Sequence, residues 1–226
     1  MADRTPTLLL GGVLLFVGLA FLVMTDASDV FDRTIIEGVR NPATSNALAF
    51  LGPLTDLGST GAVTVVAMLT FALGAAIGPW RHGLIGALTI GAAALGVELV
   101  KAGVSRARPD ALEPIIVEHG FSFPSGHATL SMVAYGVLAV LISRSRLPQG
   151  VRTAAIVGLA LLVVAIGVSR IWLGVHYPTD VLAGWTAGWV IVLLYAWFTR
   201  AVSREPAEAA ADADPAAQRS DRPAAG

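Results

Sequence analysis

The sequence predicts an all-α protein: a bundle of six transmembrane helices. Of its 226 residues, 55% are apolar and 14% are charged, whereas soluble domains are about a quarter charged. The mean hydropathy is +0.71, and apolar runs long enough to cross a bilayer recur along the chain. Without cysteine the chain has neither disulfides nor thiolate metal sites, and a net charge of −1 gives no sign of nucleic-acid binding.

The first predicted span covers residues 7–24, an uncharged run of 18. Arg4 precedes it, so a cleaved signal peptide is the alternative interpretation. The run is long for a signal core, and the TDAS that follows it is a poor cleavage site. Both observations favour a retained helix.

Residues 28–41 differ in character from the first span. Their apolar and charged side chains fall on opposite helical faces, with Val30, Phe31, Ile35 and Val39 on one and Asp32, Arg33, Glu37 and Arg40 on the other. This pattern predicts an amphipathic helix lying in the membrane interface. The stretch from there to Thr60 contains Pro42, Pro53 and Gly58 and is predicted to be rich in turns.

Five further spans are predicted at residues 61–78, 83–100, 125–143, 151–168 and 179–198. Two glycine pairs, Gly74 with Gly78 and Gly184 with Gly188, suit close helix contact. They could equally serve oligomerisation, so the oligomeric state is unknown. Residues 201–226, rich in Ala, Pro, Asp and Glu, are predicted to form a disordered tail after a membrane domain of residues 1–200.

Glu98 lies near the end of the third span, three residues before Lys101. A carboxylate at that depth is costly unless it faces protein or water. An ion pair with Lys101 is the favoured interpretation, and a direct catalytic role is the alternative.

Six spans place both termini on one side of the membrane. The turn after the fourth span carries Arg144, Arg146 and Arg152 and lacks acidic residues. Positive charge favours the cytoplasmic side, so we expect cytoplasmic termini. Whatever the orientation, loops 101–124 and 169–178 lie on the same side, because two spans separate them. Their polar residues can therefore meet at one membrane face.

Each polar stretch alone has an ordinary explanation. Lys101 and Arg108 could be positive flanking charges at a helix end. Ser125 could be a plain N-cap with His127 incidental, although a Ser-Gly helix start also offers free N–H groups to an anion.

The third stretch, Ser169–Asp180, places Arg170, His176 and Asp180 within eleven residues. Arg170 and Asp180 could again be flanking charges, and His176 a surface residue. A carboxylate that holds one imidazole nitrogen as N–H, however, frees the other as a nucleophile. Three such stretches on one side favour a phosphoryl-binding site, with cations and amide dipoles matched to its charge.

These stretches resemble the three signature motifs of the type 2 phosphatidic acid phosphatase superfamily, in order and in internal spacing. They read K-x6-RP (Lys101, Arg108, Pro109), PSGH (Pro124–His127) and SR-x5-H-x3-D (Ser169, Arg170, His176, Asp180). The layout of spans is similar to that of the integral-membrane branch. The tail matches nothing in that family.

The resemblance implies a role for each matched residue. His176 would attack phosphorus to form a phosphohistidine, Asp180 would orient it, and His127 would protonate the leaving oxygen. The phosphate oxygens would be bound by Lys101, Arg108, Ser125, Gly126 and Arg170. No metal or cofactor is expected. A neutral His176 and a protonated His127 predict a bell-shaped pH profile.

The implied activity is hydrolysis of a lipid phosphate at the extracytoplasmic face of a bacterial plasma membrane. Phosphatidic acid, phosphatidylglycerol phosphate and polyprenyl diphosphates such as undecaprenyl diphosphate all fit the motifs. The superfamily also includes vanadium haloperoxidases, but those are soluble. A non-catalytic lipid-binding or lipid-moving protein on the same fold is the alternative of a different class, although both histidines and Asp180 are present here.

Overall fold

The structure is a computed structural model that describes residues 4–39, 45–77, 80–109 and 118–212. Within those residues all regular secondary structure is helical. The helices are α1 (Thr5–Met24), α2 (Asp29–Val39), α3 (Ser45–Asp56), α4 (Thr60–Ile77), α5 (Trp80–Val104), α6 (Gly126–Ser143), α7 (Gln149–Trp172) and α8 (Pro178–Asp212). The predicted all-α class is confirmed.

The membrane spans follow the predicted apolar runs. Helices α1, α5, α6, α7 and the first part of α8 are each long and apolar enough to cross a bilayer. A sixth span arises where α3 and α4 are taken together, bent by 48° at the break between them. Large apolar side chains such as Leu10, Phe21, Leu95 and Leu161 are exposed on the outside of the bundle. That surface suits lipid rather than water.

Three boundaries differ from the predictions. The stretch predicted to be rich in turns contains α3, with Pro53 inside the helix. Helix α7 continues to Trp172, so Arg170 lies in its last turn and not in a loop. Helix α8 continues to Asp212, beyond the predicted start of the tail, because the segment is rich in Ala and Glu, which are strong helix formers. The remainder of the predicted tail lies outside the described residues.

Small residues let the helices approach closely around α6. A Cβ atom on Gly184 would lie 2.9 Å from the Ser125 carbonyl oxygen, and one on Gly188 would lie 2.6 Å from Met132 Cβ. The predicted glycine pair therefore packs α8 against α6 within the chain. Gly74 of the other pair meets Gly83 backbone, where a Cβ would lie 2.4 Å from its Cα, and Gly78 lies outside the described residues.

Helix α2 is amphipathic as predicted, but one of its charged residues faces inward. Val30 and Phe31 are exposed, and so are Arg33 and Glu37 on the charged side. Asp32 was predicted on that charged side and is instead fully buried. The reason is a buried ion pair, because its carboxylate contacts a guanidinium of the segment after α5.

Candidate active site

Four helix ends meet at one end of the bundle and bring the three polar stretches together. Helices α5 and α7 end there, and α6 and α8 begin there. Backbone groups join the stretches: Ser125 N–H donates to the Asp180 carbonyl at 3.0 Å. Arg108 Nη1 donates to the Val175 carbonyl at 2.9 Å. The predicted convergence of the two loops is therefore what the structure shows.

His176 lies in the short segment between α7 and α8, and its side chain is 1% exposed. Its Nε2 is 3.2 Å from Arg108 Nη1. A guanidinium has donors and no acceptor, so this contact assigns the lone pair to Nε2 and the hydrogen to Nδ1. Nδ1 in turn lies 3.4 Å from Asp180 Oδ2, within ion-pair distance but without hydrogen-bond geometry. The imidazole is thus held between a cation and a carboxylate.

Burial lowers the pKa of His176 to about 4, although the neighbouring Asp180 carboxylate acts in the opposite direction. The Arg170 and Arg108 charges reinforce the effect of burial. Because the ordinary pKa of histidine is about 6.5, the imidazole is neutral at physiological pH. Its Nε2 lone pair is therefore available.

Arg108 and Arg170 approach each other through one carboxylate. Arg108 donates to the carbonyl oxygens of His119 and Gly120 at 3.2 and 3.1 Å, and it lies 3.2 Å from Glu118. Arg170 is 1% exposed, pairs with Glu118 and donates to Thr55 Oγ1 at 2.9 Å. Glu118 therefore bridges two guanidinium groups, a position that suits an anion.

One donor at this position has no partner. Arg170 Nε is buried and makes no hydrogen bond to any of the described residues. A buried donor without a partner costs about 1–3 kcal/mol. An anion bound between the two arginines could accept from it.

The start of α6 lies beside Lys101. Lys101 Nζ is 3.2 Å from Glu98 Oε1, which confirms the predicted ion pair. The same Nζ lies 3.7 Å from where a Cβ on Gly126 would be, so the lysine lies against the helix start. The first N–H groups of α6 have no carbonyl partner within the helix. Gly126 and His127 contribute two of them.

Ser125 is predicted to bind phosphate oxygens, and in the structure its backbone N–H already has a partner. That N–H donates to the Asp180 carbonyl, and its hydroxyl oxygen caps α6 by accepting from Ala128 N–H at 3.5 Å. The side chain is fully buried. Ser125 therefore joins α6 to α8 and fixes the height of the helix start.

His127 lies in the first turn of α6 beside the break between α3 and α4. A Cβ on Gly58 would lie 3.2 Å from His127 Cδ2. The charged side chains that act on the imidazole are Lys101, Asp56 and Arg108. The α3–α4 break, predicted to be a turn-rich connection, thus forms one wall of the site.

Sequence reasoning missed five polar residues around the site: three contact predicted residues, and the other two, Ser28 and Asp32, contact one of those three, Arg106. They are Ser28, Asp32, Thr55, Arg106 and Glu118. One signal was present for Arg106, because it lies inside the K-x6-RP motif. Nothing in the sequence distinguishes the others from ordinary surface residues. Among the described residues no cluster of three His, Cys, Asp or Glu is arranged to hold a metal ion.

The family comparison extends over most of the bundle. Residues 82–204 match the model of the PAP2 superfamily. Phosphatidylglycerophosphatase B of Bacillus subtilis (strain 168) is 30% identical over 199 residues, 84% of this chain and 94% of that protein. Lipid A 1-phosphatase of Rhizobium johnstonii is 32% identical over 110 residues, 45% of this chain and 38% of that one.

A solved structure is similar over almost its full length. It is the crystal structure of a transmembrane PAP2-type phosphatidylglycerolphosphate phosphatase from Bacillus subtilis. The TM-score is 0.76 at 26% identity, and the alignment covers 86% of this chain and 96% of that one. The helical bundle is therefore shared, and the three motifs lie within residues 82–204, which the family model matches.

Proposed function

The chain belongs to the PAP2 superfamily, and from that premise we propose that it is a lipid phosphatase in which His176 carries the phosphoryl group during hydrolysis. One observation supports this most directly. The Nε2 lone pair of His176 points to Arg108, a cation suited to phosphate, while Nδ1 faces Asp180. A phosphate that reaches the arginine is thereby placed at the nucleophile.

In the first step, a bond forms between His176 Nε2 and phosphorus while the bond from phosphorus to the lipid oxygen breaks. His127 gives its proton to that oxygen. In the second step, water attacks phosphorus, its proton passes to His127, and the N–P bond breaks to release inorganic phosphate. Asp180 keeps the hydrogen on Nδ1 throughout and stabilises the charge that develops on the imidazole.

Phosphate binding falls to Lys101, Arg108, Arg170 and the helix start at Gly126. At an effective dielectric of about 20 and a distance of about 4 Å, each cation attracts a unit negative charge by roughly 4 kcal/mol. The N–H groups that begin α6 add dipoles of the same sign. Ser125 contributes by fixing the helix start. These charges serve the role that a metal has in other phosphatases, so the reaction is proposed to need none.

The lipid tail has a candidate location next to this site. An apolar cavity of about 480 Å³ lies between α1, α5, α6 and α8. Pro124 and Thr129 line it, so it reaches the start of α6, where the phosphate would bind. Its other walls come from Val13, Phe16, Val97 and Val190 and their neighbours. One acyl or prenyl chain could lie there while the head group reaches His176.

The preferred substrate is proposed to be phosphatidylglycerol phosphate. The relative with near-complete coverage carries that activity in its name. Phosphatidic acid and polyprenyl diphosphates remain alternatives, because every phosphate-binding residue discussed above would serve them equally.

The site is proposed to face the outside of the cell, with both termini in the cytoplasm. The support is the basic turn between α6 and α7, at the opposite end of the bundle from the site. It contains Arg144 and Arg146. Positive loops stay on the cytoplasmic side. The membrane domain is proposed to comprise residues 1–200.

The test is phosphate release by purified protein in detergent with EDTA, from phosphatidylglycerol phosphate, phosphatidic acid and undecaprenyl diphosphate in parallel. We expect release that survives EDTA and disappears in His176→Ala. The matched control is His82→Gln, because His82 lies in the first turn of α5, about 28 Å along that helix from Lys101. Phosphate release by folded His176→Ala would show that His176 is not the nucleophile. No release from any lipid would favour the non-catalytic lipid-binding alternative.

A further inference from the structure

Arg106 lies between the two basic residues of the first motif but points away from them. Its Nη1 donates to Asp180 Oδ1 at 2.7 Å and to Thr179 Oγ1 at 2.8 Å. Its Nη2 donates to Asp32 Oδ2 at 2.7 Å. The guanidinium lies over the ring of Tyr177 at 4.1 Å. Arg106 therefore connects α2 with the start of α8.

This arrangement holds both oxygens of the Asp180 carboxylate. Oδ1 accepts from Arg106, and Oδ2 accepts from Tyr177 N–H at 2.9 Å while lying 3.4 Å from His176 Nδ1. A carboxylate restrained at both oxygens cannot rotate away from the imidazole. Arg106 and His176 thus contact different oxygens of the same carboxylate.

Asp32 completes the arrangement from α2. Its carboxylate is fully buried, accepts from Thr179 N–H at 3.0 Å and Thr179 Oγ1 at 2.6 Å, and pairs with Arg106. Burial would lower the pKa of Arg106, but the two carboxylates outweigh it and raise that pKa. The guanidinium is thus permanently charged between two buried anions, an arrangement that is costly to bury unless its geometry is well satisfied.

We propose that Arg106 and Asp32 are positioning residues that set the orientation and the effective charge of Asp180, and through it the reactivity of His176. The inference rests on the proposed role of His176. It adds α2, a helix outside the three motifs, to the machinery. Neither residue is placed to contact phosphate, so both act through Asp180 alone.

Arg106 and Asp32 carry opposite charges, so removing one or the other should shift the protonation of His176 in opposite directions. His176 is faced by Asp180 from α8, Arg170 from α7 and Arg108 from the segment after α5, and α6 brings His127 to the same end of the bundle. Removing the Arg106 charge leaves Asp180 less compensated, which favours protonated His176. Removing the Asp32 charge leaves the Arg106 charge less neutralised, so Arg106 compensates Asp180 more fully. That change disfavours protonated His176. Variants that only lose packing would not be expected to shift the protonation of His176 in opposite directions.

The experiment measures kcat, KM and the acid limb of kcat/KM for phosphatidylglycerol phosphate with Arg106→Gln, Asp32→Asn and Arg106→Lys. We expect Arg106→Gln to lower kcat by up to about 100-fold, the cost of a misplaced reacting group, with KM nearly unchanged. Its acid limb should move up by about one pH unit, and that of Asp32→Asn should move down. Arg106→Lys should restore the wild-type position of the acid limb, because the positive charge is kept. It should not restore kcat, because an ammonium lacks the planar, two-pronged donor geometry of a guanidinium.

Two comparisons make the result decisive. Glu37→Gln is the matched control on α2, because Glu37 is exposed and forms no ion pair with any described residue, and it should behave as wild type. Arg108→Gln, at a predicted phosphate contact, should raise KM instead. Folding is followed by thermal unfolding in detergent. If Arg106→Gln does not fold, the proposal is tested with Arg106→Lys and Asp32→Asn.

The inference is overturned if folded variants keep wild-type kcat, or if both acid limbs move in the same direction. It is also overturned if KM rises as it does for Arg108→Gln. Wild-type activity that disappears in His176→Ala while the Arg106 and Asp32 variants stay unchanged would reject this inference alone. Activity that persists in His176→Ala would reject the proposed function first.

Discussion

The acid side of the pH profile tests the environment of His176 directly. Burial lowers the pKa of His176 to about 4, with Asp180 opposing the shift. A nucleophilic imidazole has to be neutral, so activity should rise with pH as His176 loses its proton. Because kcat/KM reports the free enzyme, its acid limb is expected near pH 4.

The magnitude separates this site from an exposed histidine. At pH 5, an imidazole with a pKa of about 4 is about 90% neutral, whereas one with the ordinary pKa of about 6.5 is about 3% neutral. The expected kcat/KM at pH 5 thus differs by roughly thirty-fold between the two cases. That difference is far larger than the error of a phosphate-release assay.

The assay is phosphate release at subsaturating lipid between pH 3.5 and 7, with the ionisation of each lipid phosphate measured separately. Asp180→Asn is the diagnostic variant. Its rate should be low, and its limb should move to lower pH, since the Asp180 carboxylate raises the pKa of His176. Ionisation of the substrate cannot move between variants. A limb near pH 6.5, or one that Asp180→Asn leaves in place, would refute the reasoning.

Three further measurements follow from individual contacts. Glu118→Gln should lower KM severalfold, because phosphate no longer competes with a carboxylate for Arg108; a raised KM would show that Glu118 orients the arginine instead. Gly188→Ala places a Cβ 2.6 Å from its neighbour and should cost about 1–3 kcal/mol, read as a lower Tm, whereas Gly158→Ala meets nothing within 4 Å and should keep the wild-type Tm. Histidine has a pKa of about 6.5 in the unfolded chain, whereas the pKa of buried His176 is about 4. The free energy of unfolding should therefore fall by about 3 kcal/mol as pH drops from about 6.5 to about 4, and it should fall less in His176→Gln.

The spans and the motif residues could be predicted because both depend on short-range sequence. An uncharged run of 18 residues has few alternatives to crossing a bilayer. The spacing of Arg170, His176 and Asp180 places them around one helix junction whatever the rest of the chain does. The structure accordingly brings them together, with His176 Nδ1 3.4 Å from Asp180.

The helix α3 and the Arg106 contacts could not be predicted in this way. Pro53 is usually a helix breaker, but α3 contains it and packs against α7, a tertiary contact that no local pattern reveals. Arg106 and Asp32 are separated by 74 residues, and each resembles an ordinary flanking charge. Which charges pair across that distance depends on how the helices pack, and no local pattern encodes it.

Helix α2 shows what an amphipathic pattern leaves open. The alternation of Val30 and Phe31 with charged residues identifies two faces, but it does not say whether the charged face meets water or protein. Here it meets both: Arg33 is exposed, while Asp32 is buried against Arg106. Val30 and Phe31 remain exposed. The same short helix therefore contacts the surroundings of the bundle and restrains the carboxylate that orients His176, so its position and the geometry of the site are not independent.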